Sequence, residues 1–305
     1  MSERRVTITG ATGLIGPRLV RELQGSSWEV TVLSRDPDRA RSKLPGVEAF
    51  AWDLMREPAP AAALEGRAGV VHLAGEPVAQ RWNERATKAI RESRVLGTEH
   101  LLEGLRATGQ RPKVLVSSSA IGYYGPHGAE PIDEEAPPGG DFLAEICVEW
   151  EQAAERAGEL GMRVLRARTG VVLDGEGGAL QKMLPPFKLG VGGPVAGGRQ
   201  YVPWVHADDV VGIMSTALED ERWSGAANAT APVPVTNREF SKALGRVLRR
   251  PALLPVPGAA LRVLYGRMAE IVTSGARVVP AKPLMLGYAF RHAELDEALR
   301  SALSG

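Results

Sequence analysis

The stretch VTITGATGLIG, residues 6–16, decides the fold of this 305-residue chain. Its first four residues form a β-branched run that is typical of a buried strand, and the glycines of a turn follow directly. Beyond the turn, Leu19, Val20 and Leu23 repeat at helical spacing. A strand, a glycine turn and a helix in immediate succession predict the first unit of a parallel α/β sheet.

The alternation of strands and helices continues along the chain. Strand-like runs lie at residues 29–33, 47–52, 69–73, 113–116 and 164–166, and the stretches between them are long enough for helices. Repeated βα units imply a parallel sheet that is covered on both faces. We therefore expect an α/β fold with a Rossmann-type doubly wound parallel sheet.

The sequence changes character beyond residue 170. Glycines and prolines become frequent, so we expect an irregular segment at 174–201, and loops of this length are usually functional. Thr236 and Glu239 form a capping-box pattern that opens a later helix. Prolines between helical patterns near the end predict a small helical unit. We expect a Rossmann domain at 1–250 and a small, mostly helical domain at 251–305.

The composition argues against several classes of protein. The chain is 44% hydrophobic and 24% charged, and its formal net charge is +1. This balance provides no dominating charged surface, so neither nucleic acid nor a membrane is expected as a partner. The chain has a single cysteine, no apolar run of the roughly 18 residues that a spanning helix needs, and no apolar signal region before the first strand. These features favour a cytoplasmic protein.

The glycine turn predicts a dinucleotide site. Glycines at this position let the backbone approach a pyrophosphate, and the helix N-terminus that follows supplies N–H groups. The alternative is a glycine turn without a ligand. The predicted cofactor contacts in the turn are Gly10, Thr12, Gly13, Leu14, Ile15 and Gly16.

The end of the second predicted strand indicates which dinucleotide binds. An acidic residue there would accept hydrogen bonds from the adenosine ribose, but the chain has Ser34 followed by Arg35. A guanidinium can pair with a 2′-phosphate through charge-assisted hydrogen bonds. We therefore predict NADP(H) as the cofactor, in contact with both residues. The alternative is a solvated Arg35 beside Asp36.

Two further strand ends are placed beside the same cofactor. One follows the third strand, near the expected adenine, and the other follows the fourth strand, near the ribose. The predicted contacts there are Asp53, Leu54, Leu73, Ala74 and Gly75.

With these motifs in order, followed by VSSSAIGYYG at 116–125, the chain resembles the extended short-chain dehydrogenase/reductases. Within them it resembles the NAD-dependent epimerase/dehydratase family. SRVLGT at 93–98, DFLAEICVEWE at 141–151 and GGRQYVPWVHADD at 197–209 resemble a poorly characterised branch called epimerase family proteins. The likeness extends to about 251–303, which resembles a small domain of unknown function found in that branch.

The resemblance implies a hydride-transfer site built from a serine, a tyrosine and a lysine, in which the tyrosine is the acid or base. Ser119 matches the serine. When the helix that follows is aligned through Glu151, Leu143 and Cys147 stand at the tyrosine and lysine positions, so both catalytic side chains are absent. Arg94, which we also predict to contact the cofactor, stands where the family often carries asparagine.

Two tyrosines follow Ser119 in the same loop and could supply the missing proton. We predict that Ser119 with Tyr123 or Tyr124 lines the nicotinamide and protonates a carbonyl oxygen. The alternative is that both rings only pack the loop or stack on the substrate. The chain is thus expected to be an oxidoreductase or epimerase acting on a carbonyl or nucleotide-sugar-like substrate. The competing interpretation is a non-catalytic NADP(H)-binding sensor or interaction protein.

The irregular segment is expected to contribute to the substrate side, because the corresponding stretch contacts substrate in the resembled family. The predicted substrate contacts are Arg199, Gln200 and Asn228. The scattered histidines and the single cysteine show no metal-ligand spacing, so no metal is expected. The resemblance also suggests a homodimer.

Overall fold

The structure, a computed structural model, describes residues 4–304. Its strands are β1 (Arg5–Thr9), β2 (Glu29–Ser34), β3 (Glu48–Ala51), β4 (Gly69–His72), β5 (Val114–Ala120), β6 (Pro131–Ile132), β7 (Arg163–Thr169), β8 (Val171–Leu173), β9 (Tyr201–Val202), β10 (Trp204–His206), β11 (Gly225–Ala229), β12 (Val235–Thr236) and β13 (Arg277–Val278). Its helices are α1 (Gly16–Gly25), α2 (Pro37–Lys43), α3 (Glu84–Arg106), α4 (Phe142–Glu155), α5 (Gly178–Lys188), α6 (Ala207–Glu219), α7 (Asn237–Leu248), α8 (Gly258–Tyr265), α9 (Glu270–Thr273), α10 (Ala281–Met285) and α11 (Leu295–Ser304). Short 3₁₀ turns lie at Ala61–Ala63, Ile121–Tyr124, Arg156–Leu160 and Gly266–Ala269.

Seven strands form the central sheet. Their order is β11-β7-β5-β4-β1-β2-β3, and every neighbouring pair is parallel. The strand order reverses between β1 and β4, so a crevice opens there at the carboxyl edge, where such sheets bind ligands. The Rossmann-type fold predicted from the sequence is confirmed.

Helices bury both faces of this sheet. On one face, Leu19 of α1 and Ile213 of α6 pack with Ile8 of β1 in a single cluster of buried side chains. On the other face, Leu101 of α3 and Ala154 of α4 belong to a second cluster. Complete burial of a leucine or isoleucine contributes about 1.5–3 kcal/mol, so the two clusters make the sheet a firm support for the loops at its edge.

Helix α5 lies inside the segment that the sequence predicted to be irregular, and this corrects the prediction. Leu180, Leu184 and Phe187 are buried at helical spacing. The helix contains Pro185 and Pro186, and proline usually ends a helix. The prolines and the flanking glycines therefore hid the helical pattern.

The C-terminal helix packs against the rest of the chain. Leu299 of α11, Phe240 of α7 and Leu184 of α5 share a buried cluster. The predicted capping box between Thr236 and Glu239 is present at the start of α7. The division of the chain at residue 250 stays a prediction. Within the part of the chain that the structure describes, no helix is both long enough and apolar enough to cross a membrane.

Candidate active site

Two glycines of the turn are required by close backbone contacts. Gly10 has a φ of +69°, and a Cβ there would lie 2.7 Å from the backbone nitrogen of Ala74. A Cβ at Gly16 would lie 2.1 Å from the carbonyl oxygen of Ala11. The turn is therefore packed directly against the end of β4, at the crevice between β1 and β4.

The N-terminus of α1 opens at this crevice. The helix begins at Gly16, no side chain caps its first N–H groups, and its first turn has no acidic residue. These N–H groups have no acceptor within the helix, and the positive end of the helix dipole adds to their attraction for an anion. The glycine turn and the helix start together could hold the pyrophosphate of a dinucleotide.

At the end of β2, Arg35 is exposed and forms no ion pair with any residue between 4 and 304. The neighbouring Asp36 is used inside the fold, since its carboxylate accepts a hydrogen bond from the backbone N–H of Arg39 at 2.9 Å and so caps α2. The hydroxyl of Ser34 accepts from the backbone N–H of Asp36 at 3.2 Å. The pairing of Arg35 with Asp36, considered as an alternative, is not formed, and its guanidinium remains available to a phosphate.

The other predicted cofactor contacts lie at the same edge. Leu54, which follows Asp53 beyond β3, packs against α3 so closely that a Cβ at Gly97 would lie 2.5 Å from its Cδ1. The backbone N–H of Ala74 donates to the hydroxyl of Thr9 at 3.2 Å. These contacts fix the ends of β3 and β4 on either side of the crevice.

His72, at the end of β4, belongs to the core. Its ring is fully buried, and its Nδ1 lies 2.7 Å from the hydroxyl oxygen of Thr9. Burial, assisted by the positive charge of Arg94, lowers the pKa of His72 to about 4. The imidazole is therefore neutral at neutral pH.

Ser119 is held by a buried ion pair. Its hydroxyl donates to Oε1 of Glu151 at 2.6 Å, and Glu151 accepts from Nε and Nη2 of Arg168, both at 2.9 Å. Burial acts to lower the pKa of Arg168, but the hydrogen bonds and charge of Glu151 outweigh it and raise that pKa. The guanidinium is thus permanently charged. The hydroxyl hydrogen of Ser119 is already donated to Glu151, so it is not free to be donated to a ligand.

Tyr124 is an internal link of the same network. Its ring is fully buried, and its hydroxyl donates to Oδ1 of Asn228 at 2.6 Å and accepts from Nη1 of Arg168 at 2.9 Å. Burial raises the pKa of Tyr124 to about 12. Its hydroxyl has both partners inside the protein and no exposed surface from which to reach a ligand.

Tyr123 differs from its neighbour because it is partly exposed. The guanidinium carbon of Arg168 lies 3.4 Å from the centroid of the Tyr123 ring, and the two tyrosine rings meet edge to face at 5.3 Å. Stacking on a fixed guanidinium holds the Tyr123 ring in place. Of the two predicted proton donors, Tyr123 is the one that can meet a ligand.

The side chains at the two altered positions pack against the tyrosine loop. A Cβ at Gly122 would lie 3.4 Å from Cβ of Leu143 and 3.7 Å from Sγ of Cys147. Burial, with a further contribution from the charge of Glu151, raises the pKa of Cys147 to about 12. The thiol is therefore neutral at neutral pH and provides no positive charge beside the loop.

Arg94 brings a cation to this end of the site from α3. Its Nη1 donates to the carbonyl oxygens of Ile90 and Glu76, both at 3.0 Å, and its guanidinium lies 5.0 Å from the centre of the Trp150 ring. Burial lowers the pKa of Arg94 from its ordinary value, and no carboxylate of the described chain forms an ion pair with it. Its atoms lie 3.5–3.6 Å from where a Cβ of Gly75 would stand.

The three predicted substrate contacts differ in how available they are. Gln200 donates from Nε2 to the carbonyl oxygens of Val195 and Val272, at 3.1 and 2.9 Å. Asn228 is fully buried and bonded to Tyr124. Arg199 is exposed, so it is the predicted residue whose side chain can meet a substrate without breaking an internal contact.

One group of possible metal ligands lies among the described residues, although the sequence predicted none. Suitable atoms of His206, Asp208 and His292 lie within 4.8 Å of one another. The backbone N–H of Asp208 already donates to Nδ1 of His206 at 3.2 Å, and Arg18 donates to the Asp208 carboxylate at 3.1 Å. One oxygen of the Asp208 carboxylate is therefore already paired with a guanidinium, and the absence of a metal stays a prediction.

Sequence reasoning did not find Arg168, the centre of the buried network. Arg166 and Arg168 alternate on β7, between the buried strand β5 and the edge strand β11. Two charged side chains two positions apart on a strand inside a parallel sheet are unusual, because both faces of such a sheet are covered. That pattern was the signal that could have identified the residue.

Two family models match the chain. The model described as NAD dependent epimerase/dehydratase family matches residues 6–228. A domain of unknown function, DUF1731, matches residues 256–302.

Curated relatives match over almost the full length. "Epimerase family protein SDR39U1 homolog, chloroplastic" of Arabidopsis thaliana is 38% identical over 304 residues, which cover 99% of this chain and 87% of that protein. "Epimerase family protein SDR39U1" of Homo sapiens is 36% identical over 305 residues, which cover 98% of this chain and 100% of that protein.

Solved structures agree with these matches. The crystal structure of human epimerase family protein SDR39U1 with NADPH has a TM-score of 0.88 at 35% identity and covers 99% of both chains. The nucleoside-diphosphate sugar epimerase of Corynebacterium glutamicum has a TM-score of 0.78 at 36% identity, covering 99% of this chain and 58% of that one. The chain therefore belongs to the NAD-dependent epimerase/dehydratase family, among the epimerase family proteins that carry a DUF1731 domain.

Proposed function

We propose that this protein binds NADPH and acts as an oxidoreductase or epimerase on a carbonyl compound or a nucleotide-linked sugar. The observation that carries the proposal is the unpaired Arg35 at the end of β2, on the same sheet edge as a glycine turn shaped for a pyrophosphate. The NADPH in the structure of human SDR39U1 supports this choice of cofactor. We propose that NADPH contacts all of the residues that the sequence predicted as cofactor contacts.

Tyr123 is the proposed proton donor. NADPH, when bound, supplies a hydride, so the protein has to provide a proton for the carbonyl oxygen of the substrate. Tyr123 is partly exposed, and Arg168 fixes its ring from the inner side. Ser119 offers its oxygen as an acceptor, because its hydrogen is directed to Glu151. In this proposal Ser119 orients a hydroxyl of the ligand, and Tyr124 holds the network in place.

Arg94 is proposed to contact the ribose next to the nicotinamide. The resemblance would place a lysine ammonium at Cys147 on α4, but the thiol there is neutral at neutral pH. Arg94 brings a buried guanidinium from α3, beside Gly75 at the end of β4. Nη1 is the donor in every hydrogen bond that Arg94 makes to described residues. Its Nε and Nη2 can therefore donate to hydroxyl groups of a ligand.

A second candidate, a non-catalytic NADPH-binding protein, is favoured by one specific observation. The hydroxyl hydrogen of Ser119 is already bonded to Glu151, and Leu143 and Cys147 supply no proton donor that is active at neutral pH. In that case the same crevice would hold NADPH as a signal or a structural ligand.

Isotope transfer distinguishes the two candidates. The full chain is loaded with NADPH that carries deuterium at the transferred position and is offered aldehydes and ketones. In a second arm it is loaded with NADP⁺ and offered nucleoside-diphosphate sugars that carry deuterium on a hydroxyl-bearing carbon, because an epimerase must first take a hydride from the sugar. Deuterium passed from cofactor to carbonyl or from sugar to cofactor, with transfer at least about 100-fold slower in Tyr123→Phe, is the expected result. NADPH binding without transfer to any compound would favour the second candidate. A small-molecule substrate, a cytoplasmic location and a homodimer remain predictions.

A further inference from the structure

The segment from Phe240 to Ala269 concentrates the positive charge of the chain. The whole sequence has 37 basic and 36 acidic residues, yet these thirty positions contain no aspartate or glutamate. The six basic residues of the segment are all exposed, and they are Lys242, Arg246, Arg249, Arg250, Arg262 and Arg267. The near-zero net charge of the protein therefore does not describe this part of its surface.

The same segment exposes large apolar side chains. Leu253 is 80% exposed, Val263 is 79% exposed and Leu254 is 53% exposed. A shallow groove is lined together by Leu253 and by four of the basic residues, Lys242, Arg246, Arg249 and Arg250. We call residues 240–269 the basic apolar surface.

A neighbouring loop extends this surface. Leu189 is 78% exposed, and it lies beside the segment because Arg250 donates from Nε to the carbonyl oxygen of Lys188 at 3.1 Å. The backbone of Leu254 approaches Gly193 so closely that a Cβ there would lie 2.2 Å from the Leu254 oxygen. Exposed apolar side chains rimmed by basic groups thus continue across two parts of the chain.

Helix α8 has a mostly apolar sequence, and those of its side chains that the structure describes lie outside the core. Its sequence is GAALRVLY, and of the α8 side chains that the structure describes, none is buried. The exposed apolar residues of α8 follow those at 253–254 closely in the chain, and large exposed apolar side chains with a polar rim mark a site of interaction with another molecule or with a membrane. Arg262, in the middle of α8, adds a basic group to it.

We propose that the basic apolar surface binds an anionic lipid bilayer. Leucine, valine and tyrosine side chains can enter the boundary between headgroups and acyl chains, while arginine and lysine contact the phosphates. Arg246 pairs with Asp296, but the other five cations form no ion pair with a described residue, so a second copy paired through a two-fold axis would bring five unpaired cations against five. Charge therefore favours an anionic partner, and the exposed aliphatic side chains favour lipid. This proposal is independent of the proposed reaction.

Vesicle binding tests the proposal on the full chain. Vesicles of phosphatidylcholine with about one third phosphatidylserine are compared by flotation with vesicles of phosphatidylcholine alone. The expected result is binding to the anionic vesicles only, with loss of binding at high salt because the headgroup charges are then screened. Absence of the protein from the anionic vesicles at low salt would overturn the proposal.

Two variants separate charge from apolar insertion. Arg249→Glu with Arg250→Glu should weaken vesicle binding at least about tenfold, and Leu253→Ser with Val263→Ser should weaken it similarly at unchanged net charge. The matched control is Arg21→Glu with Arg106→Glu, on α1 and α3, which makes the same change in net charge.

If the control and the Arg249/Arg250 variant lost vesicle binding equally, net charge alone would explain the loss, and the claim that residues 240–269 form the binding surface would be contradicted. NADPH affinity and thermal unfolding of each variant show that the fold is retained. Tight binding of an acidic protein partner by a chain that does not float with vesicles would also overturn the proposal.

Discussion

Glu151 of α4 and Arg168 of β7 form a bidentate ion pair inside the protein, with both side chains only 3% exposed. The pair joins the helix that carries the altered positions to the strand behind the tyrosine loop. Glu151 orients Ser119 by a hydrogen bond, and Arg168 orients Tyr123 by stacking on its ring. The positions of Ser119 and Tyr123, two of the three predicted catalytic side chains, thus depend on a single buried interaction.

Removing the charge of Glu151 should destabilise the protein strongly. Glu151→Gln leaves the Arg168 guanidinium buried without its counter-ion, so we expect a loss of about 3–5 kcal/mol in the free energy of unfolding. Glu155→Gln is the matched control, because Glu155 is half exposed and pairs with Arg166 near the surface. That change should cost no more than about 1 kcal/mol. Urea denaturation measures the free energy of unfolding of both variants. Similar losses in the two would contradict the claim that Glu151 is the essential buried counter-ion of Arg168.

The two adjacent tyrosines should respond in opposite ways to loss of the hydroxyl. Tyr124→Phe leaves Oδ1 of Asn228 without its buried donor and takes one acceptor from Nη1 of Arg168, so it should lower the free energy of unfolding by about 1–3 kcal/mol. Tyr123→Phe keeps the stacked ring and should leave stability nearly unchanged, while slowing any proton-dependent turnover by at least about 100-fold. Urea denaturation and single-turnover oxidation of NADPH test the pair. A stability loss confined to Tyr123→Phe would refute the division of roles.

Arg35 should set the preference between the two dinucleotides. Arg35→Ala removes a charge-assisted contact worth about 1.5–3 kcal/mol, so affinity for NADPH should fall about 10- to 150-fold while affinity for NADH stays the same. Arg106→Ala, an exposed change at the far end of α3, is the control. Isothermal titration with each dinucleotide gives the ratio, and an unchanged ratio in Arg35→Ala would exclude the 2′-phosphate contact.

Stability should fall as the pH decreases from 6.5 towards 4. His72 has a folded-state pKa of about 4, below its ordinary value of 6.5, so between these pH values the unfolded chain binds a proton that the folded chain excludes. The contribution of His72 is fully present above pH 6.5, is lost towards pH 4, and amounts to at most about 3.5 kcal/mol. The pKa of His206 is also lowered to about 4 by burial and by His292, so it adds to the trend.

The pH dependence can be assigned with two variants. His72→Asn should flatten the decline in the free energy of unfolding between pH 7 and pH 5, as measured in urea. His127→Asn, a change of an exposed ring, should leave the decline as in the wild type. If the decline survived unaltered in His72→Asn, the buried imidazole would not be its source.

The parts of the molecule that could be predicted from sequence are those encoded locally. The strand at 6–9, the glycine turn and the first helix are adjacent in the chain, so spacing alone defines them. Each later strand of the parallel sheet ends at the same edge, and this placed Arg35 and Ser119 near the crevice. The capping box at Thr236 is local as well.

The buried network could not be predicted because it is tertiary. Glu151 and Arg168 lie on different elements, and each by itself fits a solvated helix face or a strand edge. Likewise, the sequence did not distinguish Tyr123 from Tyr124, since only packing shows that one ring is enclosed and the other is not. The extent of helix α5 within the segment at 174–201 could not be predicted, because the local signal of its prolines opposed tertiary burial.

Titration of the purified full chain with NADPH and, separately, with NADH tests the central claim most directly. Binding is followed by the fluorescence of the nicotinamide. The account predicts micromolar binding of NADPH and binding of NADH weaker by at least about tenfold, because one guanidinium meets the 2′-phosphate. No binding of either dinucleotide, or equal binding of both, would contradict it.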